Sequence, residues 1–397
     1  MNMKKNKDHI PPQKDQTFSK NGNGDPLKPS RRDFLKFTGC AIAASTLLHA
    51  CKNNPVRHIV PFGPNSLKVD PGKIKWFAST CQSCNLNCPV IVKQFENRPI
   101  KMEANPKLKN DGVCAQGHAS MLDLYNDKRL KSPTINNKTT GKTETIRLIG
   151  DFLNRNPKPH IAIVSPTITS TLTNKAIRSF KNKFPNTNHI EFDQGFHHAI
   201  LHANEMSFGK STIPTYSFDK ARTIVSFEAD FLHSWLDHMQ YAAQYSSQQN
   251  PEDPSIGPLY HFQAESRPSL TGYKADERHA MHPNEIKGKL LLLYNEIATL
   301  KGKKPLKTKT GEKADKTVSK LARRLFQDSG QSLVVCGLED RDAQMLANGA
   351  NALLGNYGRT INLDQPSKIF KGNNRKFLKF AKDAKNGLYD AIFFLEC

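Results

Sequence analysis

The sequence predicts an α/β chain: a small N-terminal cysteine domain followed by doubly wound α/β domains, the last of them incomplete. Three observations carry this. Short apolar runs are followed by loops and then by helical periodicity, as in His160–Ser165 with Asn174–Phe184, and again in Leu333–Gly337 with Asp342–Leu354. Four cysteines gather ahead of the first such unit. The chain has 397 residues, 37% of them hydrophobic, which is enough for two or three cores. No stretch reads as an apolar span of about 20 residues.

The expected layout runs in six parts. These are a leader over 1–50, a linker over 51–74, a cysteine domain over 75–135, a first α/β domain over 136–300, a basic linker or loop over 301–329, and a truncated second α/β domain opening over 330–397.

Residues 1–50 read as a targeting segment and not as fold. Ser30-Arg31-Arg32-Asp33-Phe34-Leu35-Lys36 matches a twin-arginine export signal, and a mild apolar region follows from Phe37 to Leu48. Leu48-His49-Ala50-Cys51 then resembles a lipoprotein signal-peptidase box. The order of Arg31, Arg32 and Cys51 predicts export in the folded state to the periplasmic side. Lipid on Cys51 would anchor the protein to the membrane surface without spanning it.

The formal net charge is +22. The lysines are dispersed and no recognition motif accompanies them, so nucleic-acid binding is not expected. The densest tract, Lys301 to Lys320, reads as a solvated loop, or as a dock for an acidic partner or anionic headgroups.

The eight cysteines do not form a disulfide framework. Cys40 and Cys51 belong to the leader, Cys336 lies in an apolar run and reads as a buried thiol, and Cys397 is the last residue. The other four are spaced Cys81-x2-Cys84-x3-Cys88, then twenty-five residues, then Cys114. Thiolates are soft ligands that suit iron–sulfur clusters or zinc. Zinc sites more often use two separated pairs of ligands, so a three-plus-one grouping favours a [4Fe–4S] cluster, with zinc as the alternative. Val90–Val92 and the stretch around Phe95 read as a strand, Glu96 to Pro99 as a turn, and Ile100–Glu103 as a return strand. Gly112 and Gly117 flank Cys114 and let the backbone approach the metal centre.

This stretch, with Asn105-Pro106, Gly112-Val113-Cys114, Gly117 and Leu124 to Pro133, resembles the opening of the molybdopterin oxidoreductase superfamily. The resemblance implies a [4Fe–4S] domain followed by Rossmann-like domains that hold a molybdopterin guanine dinucleotide with Mo or W. The chain departs from that pattern in three places. A basic residue commonly stands where Gln116 is found, between cluster and pterin. Glu228 and Asp230 occupy a stretch that often touches the pterin, where they would repel pyrophosphate. Their expected role is instead as charges at a helix N-terminus. No cysteine lies between Cys114 and Cys336 to hold the metal. Asp193 or Ser207 could serve chemically, without a motif around either. His197 and His198 lack a third ligand spaced with them.

Phe231 to Leu236, and Phe262 to Asp276 with Arg278, also resemble the large iron–sulfur subunit of alternative complex III and of polysulfide-reductase-like, quinol-linked complexes. Glu265, Arg267, Asp276 and Arg278 are expected to form an ion network. Together the resemblances imply an electron-relaying or scaffold subunit of a membrane-associated respiratory complex. The second expectation is an active bis-molybdopterin-guanine-dinucleotide oxidoreductase acting with a partner chain. Either way the strand at Asp390–Leu395 is expected to lack its crossover, so other subunits, one of them supplying a C-terminal half, are the expected partners.

Overall fold

The computed structural model describes residues 72–397 apart from 109–111, 157, 196, 250–257, 309–313 and 396–397. The leader with Arg31 and Arg32, the linker up to residue 71, Cys51 and Cys397 therefore lie outside the described residues. Residues 69–397 form one compact unit.

Three antiparallel strands open it, in the order β1 (Ile74–Thr80), β2 (Pro89–Phe95), β3 (Arg98–Ala104). Phe95 pairs with Arg98, leaving Glu96 and Asn97 as the turn. Both have positive φ, 48° and 64°, the geometry that suits a tight right-twisted hairpin. Strand β1 was not legible in advance, because its apolar Ile74, Trp76 and Phe77 are exposed and give no inward alternation. A short helix, α1 (Ala115–Ala119), a two-strand ribbon of β4 (Thr134–Ile135) and β5 (Lys138–Thr139), and α2 (Lys142–Arg155) lead into the α/β part.

There the chain runs β6 (Ile161–Ser165), α3 (Thr171–Lys183), β7 (Thr187–Glu191), α4 (His198–Phe208), β8 (Ile213–Tyr216) and β9 (Thr223–Phe227). It continues through α5 (His238–Ser247), β10 (Tyr260–Glu265), α6 (Leu270–Lys274), β11 (Glu277–Ala280), α7 (Pro283–Leu300) and α8 (Lys316–Gln327). The last elements are β12 (Ser332–Cys336), α9 (Arg341–Leu353), β13 (Ile361–Ser367), α10 (Asn374–Lys385) and β14 (Ala391–Phe394).

Two parallel sheets result, ordered β11-β10-β9-β12 and β14-β6-β7, beside an antiparallel β8–β13 pair. Strands β6, β9 and β12 are buried along their whole length, as expected of parallel strands covered on both faces. One face of the four-stranded sheet packs Phe227, Phe262 and Val334 against Leu290, Leu293 and Leu325 of α7 and α8. The other face packs Ile224 and Val335 with Phe218, Phe231, Trp235 and Tyr241.

Two parts of the expected layout change. The run at 332–336 does not open a separate sheet: β12 pairs with β9, Leu333 opposite Ile224. Likewise β14 pairs with β6, Ala391 opposite Ile161. Sheet partners are set by three-dimensional packing, which local periodicity does not encode. Nor is 301–329 a linker throughout. Val318, Leu321, Ala322 and Leu325 form a helical stripe that buries one face of α8 while lysines and arginines occupy the other. Among the described residues no helix is long and apolar enough to cross a membrane.

Candidate metal centre and the loops that meet it

The antiparallel start of the hairpin brings two cysteines together. Thr80 pairs with Pro89, and the Cys81 N–H donates to the Cys88 carbonyl at 2.8 Å. The closed loop carries Cys84, whose carbonyl accepts from Asn87 N–H at 3.4 Å. Asn87 has φ 49°, a left-handed conformation that asparagine tolerates better than most residues. Cys114 comes from the other end of the module as the N-cap of α1, its Sγ accepting from Gly117 N–H at 3.4 Å.

Gly117 marks the closeness of the two halves. A Cβ there would stand 2.7 Å from Val113 Cγ1, 3.4 Å from Cys81 Sγ and 3.8 Å from Cys114 Sγ. The Gln116 side chain closes the module further by donating Nε2–H to the Ser83 carbonyl at 2.9 Å. Cys81 is buried and the other three thiols are half-buried. Burial raises the Cys84 thiol, and with the neighbouring Cys84 and Cys81 it pushes Cys88 up to about 11. Without a metal, Cys84 and Cys88 therefore hold their protons, which a metal must displace. Among the described residues no three His, Cys, Asp or Glu side chains converge closely enough to hold a metal ion. The four thiols thus gather in one module without forming a closed single-ion cage. Cys336 belongs to the sheet core, where burial pushes it up to about 12.

The Cys84–Cys88 loop rests on loops at the carboxyl ends of parallel β6 and β7, the position where open α/β sheets take ligands, and on the loop after antiparallel β13. Asn85 Nδ2 donates to Asp193 Oδ1 at 2.8 Å and to the Ile369 carbonyl at 3.3 Å. Asn87 Nδ2 donates to Thr169 Oγ1 at 3.0 Å. These acceptors follow β6, β7 and β13. Asp237, after β9, lies within electrostatic reach of Cys84 and Cys88, and a Cβ at Gly112 would be 3.3 Å from Met239 Cε. Sequence reasoning missed these docking residues. The available signal was a pair of asparagines, Asn85 and Asn87, inside the cysteine loop.

The oxygen ligands considered from sequence have other occupations. Asp193 is buried and accepts from Thr167 N–H and Oγ1, Lys371 N–H, Gly372 N–H and Asn85. A carboxylate so used has no lone pair directed at a metal. Ser207 sits in the last turn of α4, about 14 Å along the helix from the carboxyl-edge loops, and receives Asn348 Nδ2 at 3.3 Å. His197 is buried, stacks on Phe370 at 3.8 Å, and is pushed down to about 4 by burial. His198 stacks loosely on His202, which meets Arg375.

Glu228 and Asp230 fasten loops. Glu228, at φ 57°, accepts from Ser266 N–H at 2.7 Å, and its carbonyl would be 2.3 Å from a Cβ at Gly337. Asp230 accepts from Thr271 N–H and Oγ1 at the start of α6, close to the helix-terminal role expected of it. The expected ion network is narrower than the sequence suggested. Buried Glu265 pairs with Arg278 and accepts from Ser269 and Gln263. Asp276 instead accepts from His261 N–H at 2.7 Å, and Arg267 is exposed, without an ion pair among the described residues.

The chain matches no protein-family profile. A periplasmic nitrate reductase of Desulfovibrio desulfuricans is 26% identical over 121 residues, 30% of this chain and 15% of the relative. ArrA of Chrysiogenes arsenatis, the molybdopterin-containing subunit of an arsenate respiratory reductase, is 28% identical over 112 residues, 27% of this chain and 12% of the relative. The chain thus matches only a small part of the length of either. This weak similarity supports the resemblance to the molybdopterin oxidoreductase superfamily. Among solved structures, acetylene hydratase from Pelobacter acetylenicus aligns with a TM-score of 0.44 at 11% identity, over 72% of this chain and 44% of that one. The formyltransferase/hydrolase complex of Methylorubrum extorquens aligns at 0.41 and 12% identity, over 64% and 72%.

Proposed function

We propose that the protein is an iron–sulfur, molybdopterin-oxidoreductase-like subunit of a membrane-associated respiratory complex. In this reading it relays electrons or acts as a scaffold in quinol oxidation. The observation that carries it is the gathering of Cys81, Cys84, Cys88 and Cys114 over the carboxyl-edge loops. The donor set fits a [4Fe–4S] cluster: four soft thiols, with Gly117 leaving open the space between two of them that a Cβ would enter. When bound, such a cluster supplies one-electron transfer. The chain's own part is to hold the thiols, to offer Gly117 N–H to Cys114 Sγ, and to shield one side with the hairpin.

Two side chains favour relay over catalysis at this site. Gln116 carries no charge and its amide is tied to Ser83. Asp193 has its oxygens filled. A second reading, an active bis-molybdopterin-guanine-dinucleotide oxidoreductase acting with a partner chain, is favoured by the similarity to nitrate and arsenate reductases. In either reading Arg31 and Arg32 would direct export to the periplasmic side, Cys51 would carry the lipid anchor, and other subunits would complete the complex.

The purified protein is expected to hold about four irons per chain and to absorb broadly near about 400 nm. Stoichiometric zinc without a visible band would overturn the cluster. Mass spectrometry for a pterin dinucleotide, with molybdenum and tungsten analysis, separates the two readings, since stoichiometric pterin defeats the relay-only one.

A further inference from the structure

We infer that the Asn85–Asp193 hydrogen bond is a clasp that fixes the Cys84 loop to the α/β sheet, making Asn85 and Asp193 positioning residues for the metal centre. The inference rests on the reading that the four thiols hold a cluster, and it deepens that reading.

Asp193 is 6% exposed. A carboxylate buried to that degree needs its lone pairs satisfied. Four of its five donors come from the α/β part: Thr167 N–H and Oγ1 at 2.7 Å each, Gly372 N–H at 2.8 Å and Lys371 N–H at 3.1 Å. They bind the loops after β6 and before α10 to the loop after β7. The backbone has closed tightly here, since a Cβ at Gly372 would be 2.5 Å from Asp193 N and 2.8 Å from Oδ2. The result is a platform whose four hydrogen bonds to Asp193 do not involve the cysteine module.

The fifth donor, Asn85 Nδ2 at 2.8 Å, comes from that module. Asn85 is next to Cys84, in a loop whose internal backbone bond between Asn87 and Cys84 is long at 3.4 Å. Within the module the loop is held by Asn87 Nδ2 on the Asn85 carbonyl at 3.1 Å and by Gln116 Nε2 on the Ser83 carbonyl at 2.9 Å, and the platform supplies the charged acceptor that completes its position. The same amide reaches the Ile369 carbonyl, and Asn87 Nδ2 is shared between Thr169 Oγ1 and the Asn85 carbonyl, so both asparagines between Cys84 and Cys88 contact the sheet loops. A hydrogen bond to a carboxylate is stronger and more directional than one between neutral groups. Loss of it frees the one cysteine that neither strand nor helix holds.

The test uses the full chain, with iron and sulfide content, the electron paramagnetic resonance spectrum of the reduced protein, and the rate of iron loss to a chelator. Asn85→Ala is expected to lose iron about tenfold faster than wild type, with an altered spectrum and a melting temperature lowered no more than that of Thr167→Val. Asn85→Asp, which sets one carboxylate against another, is expected to lose it faster still. Thr167→Val removes a bond to the same carboxylate but leaves the clasp. It is expected to lower the melting temperature while the spectrum and iron loss stay those of wild type. Identical iron loss and spectra for wild type and Asn85→Ala overturn the clasp. So does a Thr167→Val protein that loses iron as fast as Asn85→Ala, because the effect then belongs to platform stability. A wild-type protein that binds no iron removes the underlying reading instead, and is distinguished by its first measurement.

Discussion

The two parallel sheets share a construction but differ at their surfaces. Around the four-stranded sheet basic side chains are matched to acids: Lys287 to Asp340 and Asp342, Lys289 to Asp315, Lys320 to Glu277, and Arg278 to Glu265. The three-stranded sheet is flanked by α3, with Lys175, Arg178, Lys181 and Lys183, and by α10, with Arg375, Lys376, Lys379, Lys382 and Lys385. Among the described residues no carboxylate pairs with any of these nine. Its edge strand β14 leaves Ile392 37% and Phe394 62% exposed. Among the described residues, α3 and α10 thus flank the three-stranded sheet with basic side chains that no carboxylate meets, whereas several of those around the four-stranded sheet are paired.

The largest expected effect breaks this comparison at the core. Leu293→Ala, at a position fully buried under the four-stranded sheet, should cost about 2–5 kcal/mol by urea unfolding. Phe394→Ala on the other sheet should stay within about 0.5 kcal/mol for the isolated chain. A loss like that of Leu293→Ala would mean that β14 is covered in solution.

Next comes the buried pair. Glu265→Ala strands Arg278 and Ser269 and should cost about 2–3 kcal/mol. Gly272→Ala should do comparable damage, because its Cβ would stand 2.1 Å from Glu265 Oε1. Little effect from Gly272→Ala would show that Glu265 moves freely and that the pair is not rigid.

Each sheet also has a buried histidine near it, His261 within β10 and His197 beside the Asp193 loop, each pushed down to about 4 by burial. An unfolded histidine titrates near 6.5, so between about 6.5 and about 4 the unfolded chain binds the proton that the folded chain refuses. The stability is complete above about pH 6.5 and falls as pH drops, by up to about 1.4 kcal/mol per pH unit for each histidine. Replacing either histidine with Gln should flatten the acid limb of urea unfolding by one histidine's share. An unchanged slope in both variants would place the proton uptake elsewhere.

The smallest effect concerns salt. Raising ionic strength should slow amide exchange in β6 by relieving repulsion among the like charges within α3 and within α10, while β9 stays level or weakens slightly, each change being a few tenths of a kcal/mol. Equal responses in β6 and β9 would erase the contrast.

Much of the fold was legible where a strand is mostly apolar. Thr223–Phe227 and Leu333–Cys336 were located to within a residue because parallel strands buried on both faces read as apolar runs, interrupted here only by the small hydroxyls of Thr223 and Ser226. Strand β10 was not, since Tyr-His-Phe-Gln-Ala-Glu alternates like a half-exposed strand although all six residues are buried. Its polar row meets Tyr245, Ser269 and Arg278, partners that sequence spacing does not announce, while His261 Nε2 and Gln263 Oε1 stay buried without a hydrogen bond. The four cysteines stand out by their spacing in the sequence. Asn85 does not, because an asparagine in a tight loop reads as turn chemistry and its acceptor is 108 residues away.

The pairing of β14 with β6 sets a timetable for making the protein. His160 and Asp390, which hydrogen-bond at the start of these two strands, are 230 residues apart, whereas β7 follows β6 after a single helix. During synthesis β6 and β7 can associate early, with one edge of β6 left open until β14 arrives. Long-range parallel pairing of this kind is slow and leaves apolar strand surface exposed to wrong partners. Lys371 and Gly372, which complete the seat of Asp193, also arrive late. The cysteine loop is therefore translated first but receives its footing last, so metal loaded onto the nascent chain would wait in an unanchored loop until nearly the whole of the described chain has left the ribosome.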